Sequence, residues 1–202
     1  MPKQGKFIVI EGLDGSGSST QAELLVKKLN QIGKKIHLTK EPTNNIIGGL
    51  IRGLLTHEWS TTPEGFQLLF AADRAHHLKQ KILPIIGRGE NIISDRYYFS
   101  TMAFGSVELD LSWLKNINKY FPKPDIIFFI KVRPDICLER IGKSRFGREF
   151  FEEKIKLEKT FKTYLSLTKD KKYNTVVING EDEIENISQQ IFNHVKKLIK
   201  IN

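Results

Sequence analysis

The sequence has little cysteine and no long hydrophobic run, and both absences exclude whole classes of protein. Its single cysteine, Cys137, can form no internal disulfide, and a zinc site built on paired cysteines is excluded. The longest apolar runs, such as Ile126–Ile130, fall far short of the ~20 residues that a membrane-spanning helix needs. The apolar stretch Phe7–Ile10 stops at Glu11, so it does not indicate a secretory signal. We therefore expect a cytoplasmic protein without a membrane partner.

Acidic residues are also in the minority. The chain carries 32 Lys and Arg against 23 Asp and Glu, which gives a formal net charge of +9 at pH 7. This surplus suits an anionic partner such as a nucleotide, a nucleic acid or a membrane surface, although a lysine-rich solvated surface explains it equally well. With 40% hydrophobic and 27% charged residues, the composition is that of a globular protein, and 202 residues fit one domain over 1–202.

Short apolar segments alternate with longer amphipathic segments along the chain. The predicted strands are Phe7–Ile10, Ile36–Thr39, Asn91–Ser94, Ile126–Val132 and Thr175–Ile178. The predicted helices are Thr20–Ile32, Gly48–Leu55, Glu64–Ile86, Leu111–Tyr120, Pro134–Ile141, Phe150–Leu167 and Ile184–Ile199. Strands rich in Ile and Val without alternation are typical of parallel strands buried on both faces. The pattern predicts an α/β fold with a doubly wound, five-stranded parallel sheet flanked by helices, and ligands beyond the carboxyl ends of the strands.

The loop Gly12–Ser19 directly follows the first predicted strand and directly precedes a helix, which is the setting of a P-loop. Glycines let the backbone curl so that its N–H groups point at phosphate oxygens, and the helix N-terminus adds positive potential. Ser19 holds the position whose hydroxyl usually binds Mg²⁺. The predicted ATP-binding residues are Gly12, Leu13, Asp14, Gly15, Ser16, Gly17, Ser18, Ser19 and Thr20.

One position of this loop departs from the P-loop pattern, because the lysine expected before Ser19 is Ser18. That lysine normally supplies a charge on the β- and γ-phosphates as charge develops during transfer. A serine can donate one neutral hydrogen bond there, but it brings no charge. Other cations must therefore replace the charge, or the protein binds nucleotides without transferring a phosphoryl group.

Asp95–Tyr97 follows the third predicted strand, so it lies at the same edge of the sheet as the phosphate loop. An acid beside a guanidinium can anchor Mg²⁺ and bind a phosphate through two parallel hydrogen bonds. A structural Asp–Arg pair that caps the next helix is the alternative interpretation of the same tripeptide.

A second candidate site lies on the predicted helix Glu64–Ile86. Phe70 and Arg74 are four residues apart and share one helix face, where a ring can stack on a nucleobase while the guanidinium donates to its carbonyl edge. Burial of Phe70 in the core is the alternative. The neighbouring His76 and His77 point about 100° apart on a helix, so we expect surface residues rather than metal ligands.

Four motifs together resemble those of the thymidylate kinase family in order and spacing. They are Glu11–Gly17, Thr39–Pro42, Leu68–Arg74 and Asp95–Ser100, and the resemblance covers essentially the whole chain. It implies a P-loop NTPase-type fold and an enzyme that uses Mg²⁺ and ATP to phosphorylate dTMP to dTDP, on the route to dTTP. It also implies a homodimer, with ATP and dTMP as partners and no nucleic acid.

The resemblance implies roles for individual residues as well. Asp14 is similar to the acid near the deoxyribose 3′-hydroxyl, Phe70 to the ring that stacks on thymine and Arg74 to the donor to thymine O4. Arg96 resembles the clamp on the dTMP phosphate, and Phe104 resembles an aromatic that crowds the sugar C2′. The implied substrate-binding residues are Asp14, Lys40, Pro42, Arg52, Phe70, Arg74, Arg96, Tyr97 and Phe104. Lys40 stands where the family usually has an arginine, and the implied metal ligands are Ser19 and Asp95.

The segment Gly142–Arg148 resembles the lid of this family. Gly142 and Gly147 provide hinges, and Arg145 and Arg148 can reach the phosphates when the lid closes. Gly15 is similar to the small residue of the subtype in which the lid supplies the catalytic arginine. The implied catalytic residues are Asp14, Ser18, Arg96, Arg145 and Arg148.

Three other functions remain open at this point. A related kinase could act on another deoxynucleotide or on a nucleoside, and a substrate panel would separate it. The second is a homologue that binds nucleotides but has lost phosphoryl transfer, and Ser18 in place of the lysine would be the sign of that loss. A nucleic-acid-binding module, the third and weaker option, predicts steeply salt-dependent binding to long DNA.

Overall fold

The computed structural model describes residues 4–142 and 148–201. Its strands are β1 (Phe7–Gly12), β2 (Ile36–Lys40), β3 (Asn91–Asp95), β4 (Ile126–Lys131) and β5 (Thr175–Asn179). All neighbouring pairs are parallel, and the order in the sheet is β2-β3-β1-β4-β5. The predicted five-stranded parallel sheet is therefore confirmed, with each predicted strand within two residues of its observed bounds.

Helices alternate with these strands. They are α1 (Ser18–Gln31), α2 (Ile46–Leu55), α3 (Pro63–His77), α4 (Leu83–Gly87), α5 (Tyr98–Gly105), α6 (Leu111–Asn118), α7 (Pro134–Arg140), α8 (Arg148–Thr168) and α9 (Ile184–Leu198). None of the helices in residues 4–142 and 148–201 combines the length and the apolar character that crossing a membrane requires.

The core is built on the two central strands. Every residue of β1 is buried, and β4 is buried from Ile126 to Ile130. Unbroken runs of this kind arise because helices cover both faces of a parallel sheet, so neither side of the strand meets water. The unalternating sequence pattern thus reflects burial on two sides, as expected.

The predicted helix Glu64–Ile86 is interrupted in the structure. A π-helical turn, Leu78–Ile82, separates α3 from α4. Pro84 lies in the first turn of α4 and has no N–H to donate to the carbonyl four residues earlier, so a regular α-helix cannot run through it. The segment is helical throughout, but its hydrogen-bond pattern widens directly after His77.

Helix α5 was not among the predicted elements. Six of its eight residues are buried, and they include Tyr98, Phe99 and Met102. The helix packs against α8, α6 and β1. A helix covered on most sides shows no amphipathic stripe, and this is why periodicity alone did not indicate it.

Candidate functional site

The phosphate loop runs from the end of β1 to the N-terminus of α1. Gly15 and Gly17 have φ values of 80° and 87°, a left-handed conformation that favours glycine. A Cβ on Gly15 would lie 2.5 Å from the carbonyl oxygen of Cys137 in α7, so a side chain would also clash there. The loop therefore needs glycine at this position. The N-terminus of α1, whose free amides favour an anion, follows the loop directly.

Ser18 and Ser19 both bind the carboxylate of Asp95. Ser18 Oγ donates to Asp95 Oδ1 at 3.1 Å, and Ser19 Oγ donates to Oδ2. Ser18 is only 4% exposed, so in this structure its hydroxyl is directed at Asp95. In a usual P-loop the lysine at this position binds the phosphates. Here the short side chain of Ser18 is hydrogen-bonded to Asp95 at the end of β3.

Ser19 and Asp95 also have the donor chemistry of a magnesium site. Hydroxyl and carboxylate oxygens are ligands that Mg²⁺ accepts, and Mg²⁺ usually takes one or two ligands from the protein and the rest from phosphates and water. The described residues hold no group of three or more His, Cys, Asp or Glu that could bind a metal ion by itself. The two side chains therefore fit a Mg²⁺ ion that arrives with a nucleotide, and do not fit a resident metal centre.

Arg96 connects the end of β3 to the phosphate loop. Its Nη2 lies 2.6 Å from Asp14 Oδ1, and its Nη1 donates to the carbonyl oxygen of Gly12 at 3.0 Å and to Ser100 Oγ at 3.1 Å. The residue has a φ of 70°, an unfavourable backbone conformation for a residue with a side chain, which costs roughly 1–3 kcal/mol. These contacts hold it there, with its guanidinium beside the loop.

The buried carboxylate of Glu11 binds the residues that follow Arg96. Glu11 Oε1 accepts from the backbone N–H of Tyr97 at 2.9 Å and of Ser100 at 3.3 Å. Its Oε2 accepts from the hydroxyls of Ser100 at 2.6 Å and Tyr164 at 3.1 Å. Burial raises the pKa of Glu11 to about 7, although the Ser100 hydroxyl and the charge of Arg96 act in the opposite direction. Glu11 therefore fixes the start of α5, and with it the backbone that directly follows Arg96.

A cavity of about 190 Å³ opens next to Arg96, between α3 and α5. Seven of the nine predicted substrate-binding residues line it, namely Asp14, Pro42, Phe70, Arg74, Arg96, Tyr97 and Phe104. Aromatic walls with a few convergent polar groups are typical of a small-molecule site. The cavity adjoins the phosphate loop because Asp14 belongs to both.

Lys40 and Arg52 do not line this cavity. Lys40 lies in a separate depression together with Ser19 and Asp95. Arg52 donates from Nη1 to the carbonyl oxygen of Thr43. The two cations flank the site, and their contacts with a substrate stay predictions.

Arg74 and His77 are both buried in α3. The expectation that His77 lies on the surface was wrong, because the end of β2 and the residues after it cover this side of the helix. His77 is 3% exposed, and its ring nitrogens face Glu41 and Thr39. His76 is exposed, as expected. Helical spacing correctly predicts that His76 and His77 point in different directions. It cannot show that the end of β2 covers the side of α3 that carries His77.

Several residues of the site were missed by sequence reasoning. Glu41, Gln67 and Thr101 line the same cavity as Phe70. Thr101 escaped notice because α5 was not predicted, and Gln67 carried no signal beyond its helix face. Gln67 Oε1 is buried without a hydrogen-bond partner among the described residues, so it is an acceptor that a ligand could use.

Most of the predicted lid lies outside the described residues. This includes Arg145 and Gly147, whereas Gly142 is described and has a φ of 73°. Arg148 begins α8, and only its backbone is described. The catalytic roles of Arg145 and Arg148 stay predictions.

Comparisons of the sequence with known proteins identify a family and relatives of this chain. The sequence model of the family described as "Thymidylate kinase" matches residues 10–191. The chain is 37% identical over 200 residues to a protein of Pyrococcus horikoshii named "Probable thymidylate kinase", covering 96% of this chain and 97% of that protein. It is 35% identical over 205 residues to the protein of the same name from Thermococcus kodakarensis, covering 96% and 98%. It is 37% identical over 193 residues to a protein of Leptospira interrogans named "Thymidylate kinase", covering 93% and 92%.

Proposed function

The chain belongs to the thymidylate kinase family, and on this premise we propose how its residues carry out the reaction. The enzyme transfers a phosphoryl group from ATP to dTMP and forms ADP and dTDP. One observation carries the assignment of the two sites. The aromatic cavity and the phosphate loop meet at the ion pair between Arg96 and Asp14, so an acceptor phosphate at Arg96 lies beside a donor phosphate on the loop.

The cavity binds the nucleoside part of dTMP. Phe70 stacks on thymine, and Arg74 donates to the carbonyl oxygen O4 at the far end of the pocket. Phe104 crowds the sugar at C2′ and disfavours a ribose. The centre of its ring also lies 5.3 Å from the guanidinium carbon of Arg96. This cation–π contact holds the sugar-contacting ring and the phosphate-binding arginine together.

Arg96 binds the phosphate of dTMP, assisted by Arg52. A guanidinium can hold two phosphate oxygens in fixed directions, which aligns the acceptor oxygen with the phosphoryl group of ATP. No general base is required, because that acceptor oxygen is already an anion. Asp14 orients Arg96 and lies near the 3′-hydroxyl.

Ser19 and Asp95 would hold Mg²⁺ together with the phosphates of ATP. The ion supplies positive charge that stabilises the transferring phosphoryl group. When a nucleotide binds, the hydroxyls of Ser18 and Ser19 are the neighbours that keep the Asp95 carboxylate in place.

Charge that the P-loop lysine supplies in other kinases comes from the lid in this enzyme. Arg145 and Arg148 lie in the predicted lid, and closure would bring them to the phosphates while it excludes water. Lys40, in the depression with Ser19 and Asp95, is the next candidate, followed by Lys143. The neutral hydroxyl of Ser18 cannot take this role.

A homodimer in the cytoplasm is the proposed state of the enzyme. Apolar side chains on α2 and α3 support the dimer, because Ile46 is 85% exposed and Leu50 and Leu68 are about half exposed. The two helices pack together and could form one contact face.

A substrate panel tests the proposal. Product formation with ATP is measured for dTMP, dUMP, dCMP, ribose-bearing TMP and the nucleoside thymidine. The proposal expects the highest kcat/KM for dTMP and a marked loss with the ribose. A higher kcat/KM for dCMP or for a nucleoside would contradict it and favour a related kinase. Binding of ATP and dTMP without any product would favour a homologue that has lost transfer.

A further inference from the structure

His77 is a buried histidine whose two ring nitrogens both have partners. Nδ1 lies 3.0 Å from Glu41 Oε1, and Nε2 lies 2.6 Å from Thr39 Oγ1. Thr39 belongs to β2 and Glu41 follows that strand, so the ring joins α3 to the end of β2. None of these groups takes part in the transfer steps above.

The partners of His77 fix which ring nitrogen donates to Glu41. Glu41 is paired through its other oxygen with Arg74, so it is an ionised carboxylate that can only accept hydrogen bonds. Nδ1 must then carry the hydrogen that it donates to Glu41. In the neutral ring Nε2 is an acceptor, and it takes the hydroxyl hydrogen of Thr39. Donation therefore runs from Thr39 through His77 to Glu41, and Glu41 also accepts from Arg74 through its other oxygen.

Arg74 is held on all sides of its guanidinium plane. Nε donates to Glu41 Oε2 at 2.9 Å and Nη2 lies 2.7 Å from the same oxygen. Nη2 also donates to Thr101 at 3.0 Å, and Nη1 donates to Asn118 at 2.5 Å. Among the described residues, three of the five N–H groups donate hydrogen bonds, the second N–H of Nη2 lies beside Glu41 Oε2, and the second N–H of Nη1 has no partner. Arg74 is 1% exposed and lines the cavity, so a ligand in the cavity is the available acceptor for this N–H.

We propose that His77 is a positioning residue for base recognition. It holds the Glu41 carboxylate in the plane that Arg74 requires, and Arg74 in turn presents its remaining N–H to the pyrimidine carbonyl. Glu41 Oε2 bonds two nitrogens of the guanidinium, so rotation of the carboxylate would turn the guanidinium or break that pair. His77 opposes this rotation by occupying Oε1. The inference rests on the proposed function, and it adds a group that never touches the substrate.

Two substitutions separate the partners of His77. His77→Asn keeps an amide N–H near the position of Nδ1 and can still donate to Glu41. His77→Gln places its amide near Nε2 instead and leaves Glu41 Oε1 without a donor. The exposed neighbour gives a matched control, His76→Gln, which makes the same chemical change outside the cluster. Melting temperatures of all variants show whether the fold survives.

Steady-state kinetics give the first readout. A lost hydrogen bond to a charged group corresponds to roughly tenfold in an equilibrium constant, so we expect His77→Gln to raise the KM for dTMP about tenfold. The KM for ATP should change less than about twofold, and His77→Asn should recover most of the loss. A folded His77→Gln variant with the KM of the wild type for dTMP would overturn the proposal. Equal losses for dTMP and ATP in both variants would do so too, since they would indicate a purely structural role.

Base selectivity gives a readout that general destabilisation would not move. Thymine and uracil both present a carbonyl oxygen at position 4, whereas cytosine presents an amino group that cannot accept from Arg74. His77→Gln should therefore narrow the preference for dTMP over dCMP and leave the ratio of dTMP to dUMP unchanged. An unchanged preference for dTMP over dCMP would contradict the proposal.

A binding measurement separates this inference from the proposed function. The Kd for dTMP is determined without ATP, so it reports the base contacts even when no transfer occurs. If the wild type forms dTDP but His77→Gln binds dTMP like the wild type, only the role of His77 is overturned. If the wild type binds dTMP but forms no dTDP, the proposed activity fails, while a weakened Kd in His77→Gln still supports the role of His77. If the wild type does not bind dTMP, both are overturned.

Discussion

Arg96 and Asp14 form an ion pair, with 2.6 Å between Nη2 and Oδ1, that joins the end of β3 to the phosphate loop. The pair lies where the cavity between α3 and α5 meets the phosphate loop. Arg96 adopts its unfavourable backbone conformation at this place, which is typical of residues that a binding site holds in position.

Replacing Arg96 by Lys should keep the charge and remove the planar set of donors. A lysine has three N–H groups, too few for Asp14, Gly12 and two phosphate oxygens at once, so we expect the KM for dTMP to rise roughly ten- to hundredfold and kcat to fall. Arg133→Lys is the matched control, because Arg133 also pairs with a carboxylate, Glu181, but at an exposed position. Wild-type kinetics in the Arg96→Lys variant would exclude the proposed phosphate clamp.

Phe70→Ala tests the base-stacking wall of the cavity. Loss of a base–aromatic stack costs roughly 1–3 kcal/mol, so the KM for dTMP should rise while the KM for ATP stays nearly unchanged. His76→Ala, at an exposed position of the same helix, controls for helix stability. If ATP binding suffers instead, α3 does not belong to the acceptor site.

Arg145→Ala and Arg148→Ala test the lid. An arginine that meets the phosphoryl group only in the closed complex stabilises the transition state more than the ground state, so kcat should fall with little change in KM. For the arginine that touches the transferring group the loss should approach roughly 10³-fold. Should both variants keep the kcat of the wild type, the charge must come from elsewhere, and Lys40→Ala and Lys143→Ala become the next measurements.

Glu11 predicts a particular pH dependence of stability. Burial raises its pKa in the folded protein to about 7 from an ordinary value of 4.5, so between these values the folded state binds more protons than the unfolded state. The stabilisation that protonated Glu11 provides is therefore fully present below pH 4.5 and is lost as the pH rises through 7. The free energy of unfolding changes by on the order of 3 kcal/mol over this range. Glu11→Gln lacks this titration. Melting curves from pH 5 to pH 8 should show the wild type losing stability relative to Glu11→Gln, and a difference that stays constant over that range would contradict the assignment.

Sequence patterns predicted the sheet well because burial on both faces leaves a local signature. The unalternating runs in β1 and β4 needed no knowledge of distant contacts, and the loop at 12–19 was placed by the strand before it and the helix after it. By contrast, α5 is covered on most sides and has no stripe to detect.

The sequence predicted those parts of the candidate site whose residues lie close together in one motif. Phe70 and Arg74 share a helix face and do line one cavity. The burial of His77 depends on Glu41, 36 residues earlier in the chain, and no local rule connects them. Ser18 was recognised as a departure from the P-loop pattern, but its contact with Asp95 required the fold.

Formation of dTDP by the wild type and by Ser18→Lys is the most direct test of the account. The enzyme is proposed to work with a phosphate loop built around serine, in which Ser18 supports Asp95 and other cations supply the charge. Steady-state assays with ATP and dTMP should give measurable turnover for the wild type, and the lysine should change it little or reduce it, because it displaces the contact with Asp95. No turnover by the wild type, with activity appearing only in the Ser18→Lys variant, would contradict the claim that this chain is a working kinase.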